Sequence, residues 1–402
     1  MQVLVIGANF GNKGAQSMLF TVIATIRRYY PNSKIFFGHA APSPCLNDNF
    51  SFDEVYYYSG LFKITKNQIT LLQENISWYS PEKTFTAVTN SDFIIDVSGF
   101  ALGSKWGTNI SLSYINNIKI AKALNVPIIL MPQSFGPFNF GSDQKIIDDV
   151  IKNNLDYPIK IFAREYDGYL PLRQKYNLKN VELHPDLVLS ANSNFSNVFQ
   201  KNFVVSVPKI SSDESCVGIV PNLRSFDHSG NAWQTLQVFY EIINCLLRMN
   251  KRVYLFRHSV EDIYPCMWLK SLFMDDERVI LLTNDFSCFE YDAFCQQFDF
   301  LVAGRFHGIV HAYKNNIPCI MIGWAVKYVE LSRLMYQSQY VFDISTPNLD
   351  TRKVLAAIKD MDENLTSNKK ILSDRLKAVQ QSCTCFSVML QAMKKFDKEA
   401  SF

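Results

Sequence analysis

No stretch of the 402 residues is apolar for long enough to cross a bilayer. The first residues, Met1-Gln-Val-Leu-Val-Ile-Gly, lack the basic start and long apolar core of a signal peptide, so the expected setting is the cytoplasm. No basic run resembles a polyanion-binding tail. With 40 basic against 37 acidic residues and a formal charge of +3, the chain has no nucleic-acid signature. Cysteine is scattered: nine residues, an odd number, with no pair of CxxC motifs, so neither a disulfide framework nor a zinc site is expected. Cys383 and Cys385 lie two apart on a predicted helix and should point in different directions. No cluster of metal ligands is evident, no repeat or low-complexity tract stands out, and no Gly-Lys-Ser/Thr completes a Walker motif.

What is present is a chain that is 48% hydrophobic and 14% aromatic, with 31 Phe and 19 Tyr, long enough for two cores. Short apolar runs alternate with helical periodicity, which predicts an α/β protein with parallel sheets. In the first half the strands are expected at Val3–Ile6, Lys34–Phe37, Phe93–Asp96, Ile128–Met131 and Ile159–Ala163. A short helix is expected around Ile69–Leu72. Ser and Asn crowd residues 190–214, centred on Ser190-Ala-Asn-Ser-Asn-Phe-Ser, and mark a domain boundary. Alternation restarts at Val217–Val220 and continues through Val253–Phe256, Val279–Leu282, Phe300–Ala303 and Cys319–Ile322. Apolar residues from Leu376 to Met393 at helical spacing, closed by Lys394, Lys395 and Lys398, predict a C-terminal helix.

The organising stretch is Asp299-Phe-Leu-Val-Ala-Gly-Arg-Phe-His-Gly308. A buried strand runs into Gly304, Arg305 and His307 follow, and a helix begins. Ligands of parallel sheets sit at strand carboxyl ends, where a helix start offers free N–H groups to an anion. An arginine and a histidine in that turn suit a small phosphorylated or carboxylated molecule; the alternative is a structural ion pair and a packed imidazole. Other strand ends carry Arg164, Arg224, His258 and Lys327. The loop Gly7-Ala-Asn-Phe-Gly-Asn-Lys-Gly-Ala15 follows the first strand, and its Asn9, Gly11 and Asn12 can meet a sugar or merely shape a turn. The loop Asp96–Gly107 carries Lys105 and Trp106, an aromatic face for a pyranose or a surface tryptophan.

These pieces, together with Pro132-Gln-Ser-Phe-Gly-Pro137 and Ala163-Arg-Glu165, resemble in content and order the polysaccharide pyruvyl transferase family, from the first strand to about residue 335. Where many relatives carry a run of glycines after the third strand, this chain has Ser98-Gly99-Phe100. The resemblance implies a GT-B-like fold, two Rossmann-like domains facing across a cleft. Residues 1–195 would form the acceptor side, 196–370 the donor side, and 371–402 a helix packing across the domains. It implies phosphoenolpyruvate as donor, with no cofactor, and a sugar residue of a surface polysaccharide precursor as acceptor. The product would be a pyruvate ketal. An acceptor that is lipid-linked would bring the protein to the inner face of the membrane. Arg305 and His307 would be catalytic. Arg305, Phe306, Arg224, Arg164, Lys327 and His258 would hold the donor. Asn9, Gly11, Asn12, Lys105 and Trp106 would hold the acceptor. Two other readings stand beside this one. One is a nucleotide-sugar glycosyltransferase of the same architecture, for which Glu330 is an available ribose partner. The other is a glycan-binding protein without turnover.

Overall fold

The structure is a computed structural model, and it describes residues 1–41, 49–65, 68–72, 80–191, 195–200, 203–211, 213–347 and 349–397. Cys45, Lys398 and the centre of the Ser/Asn-rich stretch, residues 192–194, lie outside them. The chain forms two compact units. The first takes Met1–Phe10, Ala15–Phe203 and Cys383–Phe402; the second takes Gly11–Gly14 and Val204–Ser382.

In the first unit β1 (Gln2–Ile6), β2 (Lys34–His39) and β3 (Asp53–Tyr56) are joined by β6 (Phe93–Asp96), β8 (Ile128–Phe135), β9 (Ile161–Ala163) and β10 (Val181–Leu183). The hairpin β4 (Phe62–Thr65) and β5 (Gln68–Leu71) stands apart, and β7 (Phe100–Leu102) pairs with β8. The sheet order is β10-β9-β8-β6-β1-β2-β3, parallel throughout. The second unit carries β11 (Cys216–Val220), β12 (Arg252–Leu255), β13 (Val279–Leu281), β14 (Phe300–Ala303), β15 (Cys319–Gly323) and β16 (Val341–Asp343), in the parallel order β13-β12-β11-β14-β15-β16. Both sheets are wound outward from their first strand, so each has a switch point, between β1 and β6 and between β11 and β14, where a crevice opens at the carboxyl ends. The strands are apolar runs because helices cover both faces. Separate cores follow: Leu4, Ile94 and Ile128 with Ile115 and Ile118 in the first unit, Ile219, Val253 and Val302 with Phe239 and Ile242 in the second.

Three expectations fail for identifiable reasons. Ile69–Leu72 is not helical: residues 68–71 form β5, whose Ile69 pairs with Ile64. The strand expected to end at Met131 runs on as β8 to Phe135; Pro132 has no N–H to give, and the β8–β9 register shifts between Leu130 and Gln133. The C-terminal helix is two helices, Leu365–Gln381 and Cys385–Phe396, the first in the second unit and the other in the first. At the break the N–H groups of Thr384 and Cys385 donate to His184 Nε2 instead of to carbonyls one turn back. Cys383 and Cys385 therefore converge, with sulfurs 3.7 Å apart, contrary to the divergence expected on a continuous helix. Among the described residues no helix is long and apolar enough to cross a membrane.

Candidate active site

At the switch point of the second sheet, Gly304 leaves β14 beside Asn222, the residue that caps the helix after β11. Their approach is tight: a Cβ on Gly304 would stand 3.0 Å from that of Asn222, so a larger residue would require Asn222 to give a little. The Gly304 carbonyl accepts from Asn222 Nδ2 at 2.9 Å and from the Tyr328 hydroxyl at 2.8 Å, which fixes the turn. Arg305 is then the N-cap of the helix Phe306–Lys314, and His307 lies in its first turn.

Arg305 is 14% exposed and forked onto Asp262: Nε donates to Oδ2 at 2.6 Å and Nη2 to Oδ1 at 2.8 Å, and Nη2 also reaches Glu261. Its Nη1 makes no hydrogen bond to the described residues. Asp262 is fully buried and also accepts from the Leu223 and Ser259 N–H groups. Burial raises the Asp262 carboxyl, and the Arg305 charge offsets this only in part. At Glu261 burial also pulls upward, but Arg305 outweighs it and the carboxyl falls below its ordinary range. The arginine's own partners hold its pKa up against desolvation.

The imidazole of His307, half-buried, stands against Gly14, where a Cβ would come within 2.2 Å of the ring. Gly14 belongs to the segment Gly11–Gly14 that clusters with the second unit. Gly11 accepts from the Val260 N–H at 3.2 Å, and Asn12 Nδ2 donates to Ser259 Oγ at 3.0 Å. Lys13, 1% exposed, pairs with Asp285, which also lies 3.6 Å from Arg257 Nε. His258 follows β12 and is fully buried against the rings of Tyr291 and His311, with neither ring nitrogen hydrogen-bonded to a described residue. Burial, then the charges of His311, His307, Arg305 and Lys13, push its pKa well below the ordinary value, so it is a neutral imidazole among cations. Gly14→Ala should displace the His307 ring while leaving the fold in place. Its helix-start position tolerates alanine, so turnover should drop while the unfolding midpoint moves little, and unchanged turnover would mean that the ring position is immaterial.

The other expected residues are placed as follows. Lys327 lies over the Phe306 ring, 5.5 Å from its centre, and near Trp324. Arg224 is exposed and pairs with Asp227 at 3.0 Å. Arg164 is in the first unit, buried, and held by Asp186 at 2.8 Å and Glu165 at 2.9 Å. Also in the first unit, Asn9, Lys105 and Trp106 are exposed. The site thus joins Arg305, His307 and His258 with Phe306 and Lys327, and it seats Gly11 and Asn12 against Ser259 and Val260. Sequence reasoning missed Lys13, Asp262, Glu261 and Asp285. The signals were a lysine inside the glycine loop and Ser259-Val-Glu-Asp262, a capping box that begins four residues after the end of β12. It also passed over Asp96, at the first sheet's switch point. This carboxyl is 1% exposed; Oδ1 accepts from the Ser98 N–H at 2.8 Å and from Gln133 at 3.3 Å, while Oδ2 has no partner among the described residues. Burial pushes it up to about 6 despite those bonds.

Two doubly wound domains of this kind make the fold GT-B-like, and solved structures agree. The chain superposes on UDP-GlcNAc 2-epimerase from Neisseria meningitidis bound to UDP-GlcNAc with a TM-score of 0.54, at 10% identity over 98% of this chain and all of that one (100%). The S. aureus MnaA–UDP co-structure gives 0.57 at 9% identity, over 98% of this chain and 97% of the other. Arabidopsis thaliana UGT89C1 complexed with UDP-L-rhamnose gives 0.53 at 10% identity, over 98% of each. At such identities the likeness is one of fold. No curated protein matches the chain in sequence. Residues 12–325 match the family model described as polysaccharide pyruvyl transferase, and the chain belongs to that family.

Proposed function

We propose that this transferase moves the enolpyruvyl group of phosphoenolpyruvate onto a sugar residue of a bacterial surface polysaccharide precursor, such as that of a capsule or exopolysaccharide. The product is a pyruvate ketal, and phosphate is released. The observation that carries the reading is the group Lys13, Arg305, His307 and His258 at the carboxyl edge of the second sheet, in a chain of this family. Phosphoenolpyruvate carries a carboxylate and a phosphate on the same carbon, C2, and a guanidinium such as that of Arg305 suits either anion. His307 delivers a proton to the methylene carbon, C2 becomes electrophilic, and one sugar hydroxyl adds there. A second hydroxyl of the same sugar then displaces phosphate. Of the two hydroxyl protons lost, one balances the new methyl hydrogen and the other leaves with phosphate. Phe306 and Lys327 wall the donor side. No cofactor is required by these steps.

The test is incubation with phosphoenolpyruvate and a panel of model and lipid-linked galactosides and mannosaminides, read by mass and by phosphate release. Orthophosphate with a pyruvylated sugar supports the proposal; a nucleoside diphosphate released from a nucleotide sugar would replace it with glycosyl transfer. Arg305→Lys should raise the KM for phosphoenolpyruvate by ~10- to 100-fold, since an ammonium cannot hold Asp262 bidentately and still present a planar edge. An unchanged KM would remove Arg305 from donor binding.

A further inference from the structure

Three metal-ligating side chains from distant parts of the chain converge in the first unit. His184 follows the edge strand β10, while Cys383 and Cys385 sit at the break before the helix Cys385–Phe396. One ligand atom of each lies within 4.8 Å of the other two. The sulfurs are 3.7 Å apart. Two thiolates on one tetrahedral zinc ion, each ~2.3 Å from it, stand roughly 3.8 Å apart, so the sulfur pair already has that spacing. The imidazole is set for ligation. Its Nδ1 lies 2.9 Å from the Pro185 carbonyl, which places the proton there and leaves the lone pair on Nε2. Nε2 in turn faces the Cys383-Thr-Cys385 backbone, accepting from the N–H groups of Thr384 at 3.1 Å and Cys385 at 3.2 Å. The Thr384 hydroxyl, bonded to Glu182 at 3.1 Å, steadies the same segment. His184 and Cys385 are buried and Cys383 is half-buried.

We propose that His184, Cys383 and Cys385 bind one zinc ion through Nε2 and two thiolates, with a fourth position left for water or another small ligand. Two sulfurs and one imidazole select a borderline-soft ion over magnesium or calcium. Binding exchanges two N–H···N bonds for a coordinate bond and releases the thiol protons. It would staple the last helix to the edge of the first sheet, through residues that the phosphoenolpyruvate chemistry does not use.

The full-length protein, reduced and stripped with chelator, is titrated with Zn²⁺ against a chromophoric chelator and with Co²⁺ to read thiolate-to-metal charge transfer. One ion per chain, a charge-transfer band and a zinc-dependent rise in the unfolding midpoint are expected. Cys383→Ser and Cys385→Ser should each weaken binding by about 100-fold or more. Cys383, half-buried, is the variant that should fold normally, and Cys216→Ser, at a buried cysteine in the other unit, should bind as the wild type does. Zinc uptake unchanged in the Cys383→Ser/Cys385→Ser double variant would overturn the site. So would a Co²⁺ spectrum without the band, or a Cys383–Cys385 disulfide in the isolated protein with no zinc uptake after reduction.

Discussion

Replacing His307 by alanine should lower turnover by about a thousandfold, within the range that a positioned general acid contributes, and leave the unfolding midpoint within ~2 °C. The two effects separate because of where the ring is. His307 lies in the first turn of the helix Phe306–Lys314, where backbone N–H groups have no partner within the helix, and alanine there is a good helix former. Its ring is half-buried against Gly14, so truncation removes modest apolar area and opens no sealed cavity. In the proposed reaction, the proton that makes C2 of phosphoenolpyruvate electrophilic must come from some group. His258 is held neutral by burial and by the surrounding cations, and Arg305 is kept charged by Asp262 and Glu261, so neither can replace it. The measurement is steady-state phosphate release beside thermal unfolding of the same preparation. Wild-type turnover in a folded His307→Ala protein would take the imidazole out of the mechanism. An equal loss in both readouts would make the residue structural.

Much of this site was legible because it is local. A buried strand, a glycine, an arginine and a histidine one residue further on lie within one short stretch, and the parallel α/β pattern alone puts that stretch at a carboxyl edge. Phe93–Asp96 and Phe300–Ala303 are strands at the expected residues, since a strand covered on both faces must be apolar along its length. What stayed hidden depends on contacts across sequence. Whether a guanidinium faces a ligand or a carboxylate is decided by what the fold brings opposite it, and Asp262 is 43 residues from Arg305. Lys13 meets Asp285 across 272 residues, so a lysine in a glycine loop gave no hint that it would be buried. Helical spacing through Cys383 concealed the break beside it, because the acceptor that ends the hydrogen-bond ladder is an imidazole some 200 residues earlier. Periodicity reports which face is apolar; it carries no information about a distant side chain that competes for backbone N–H groups.

Asp96→Asn should stabilise the protein at neutral and alkaline pH by on the order of 2–3 kcal/mol, and by nearly nothing at pH ~4. The carboxyl is raised from 3.8 to about 6 in the folded chain, with desolvation the largest cause. Below its unfolded value the group is protonated in both states and costs nothing. Between that value and about 6 the unfolded chain ionises first, so folding loses stability as pH rises. Above the folded value the penalty stays constant. Asparagine keeps the Oδ1 acceptor for the Ser98 N–H and carries no charge. Its amide needs an acceptor of its own, and Gln133 Oε1, without a partner among the described residues, becomes available when that amide turns over. Urea unfolding of both proteins at pH 4 and pH 8 checks the expectation; a variant less stable at pH 8, or a difference independent of pH, would refute the buried charge. A carboxylate that weakens the fold and yet sits at a strand's carboxyl end, on a sheet's switch point, with one oxygen unpartnered among the described residues, has the features by which functional groups are recognised. Turnover of the stabilised variant then separates the two reasons for its presence: lost activity in a firmer protein would assign Asp96 to the chemistry, and retained activity would make it a structural burden that asparagine relieves.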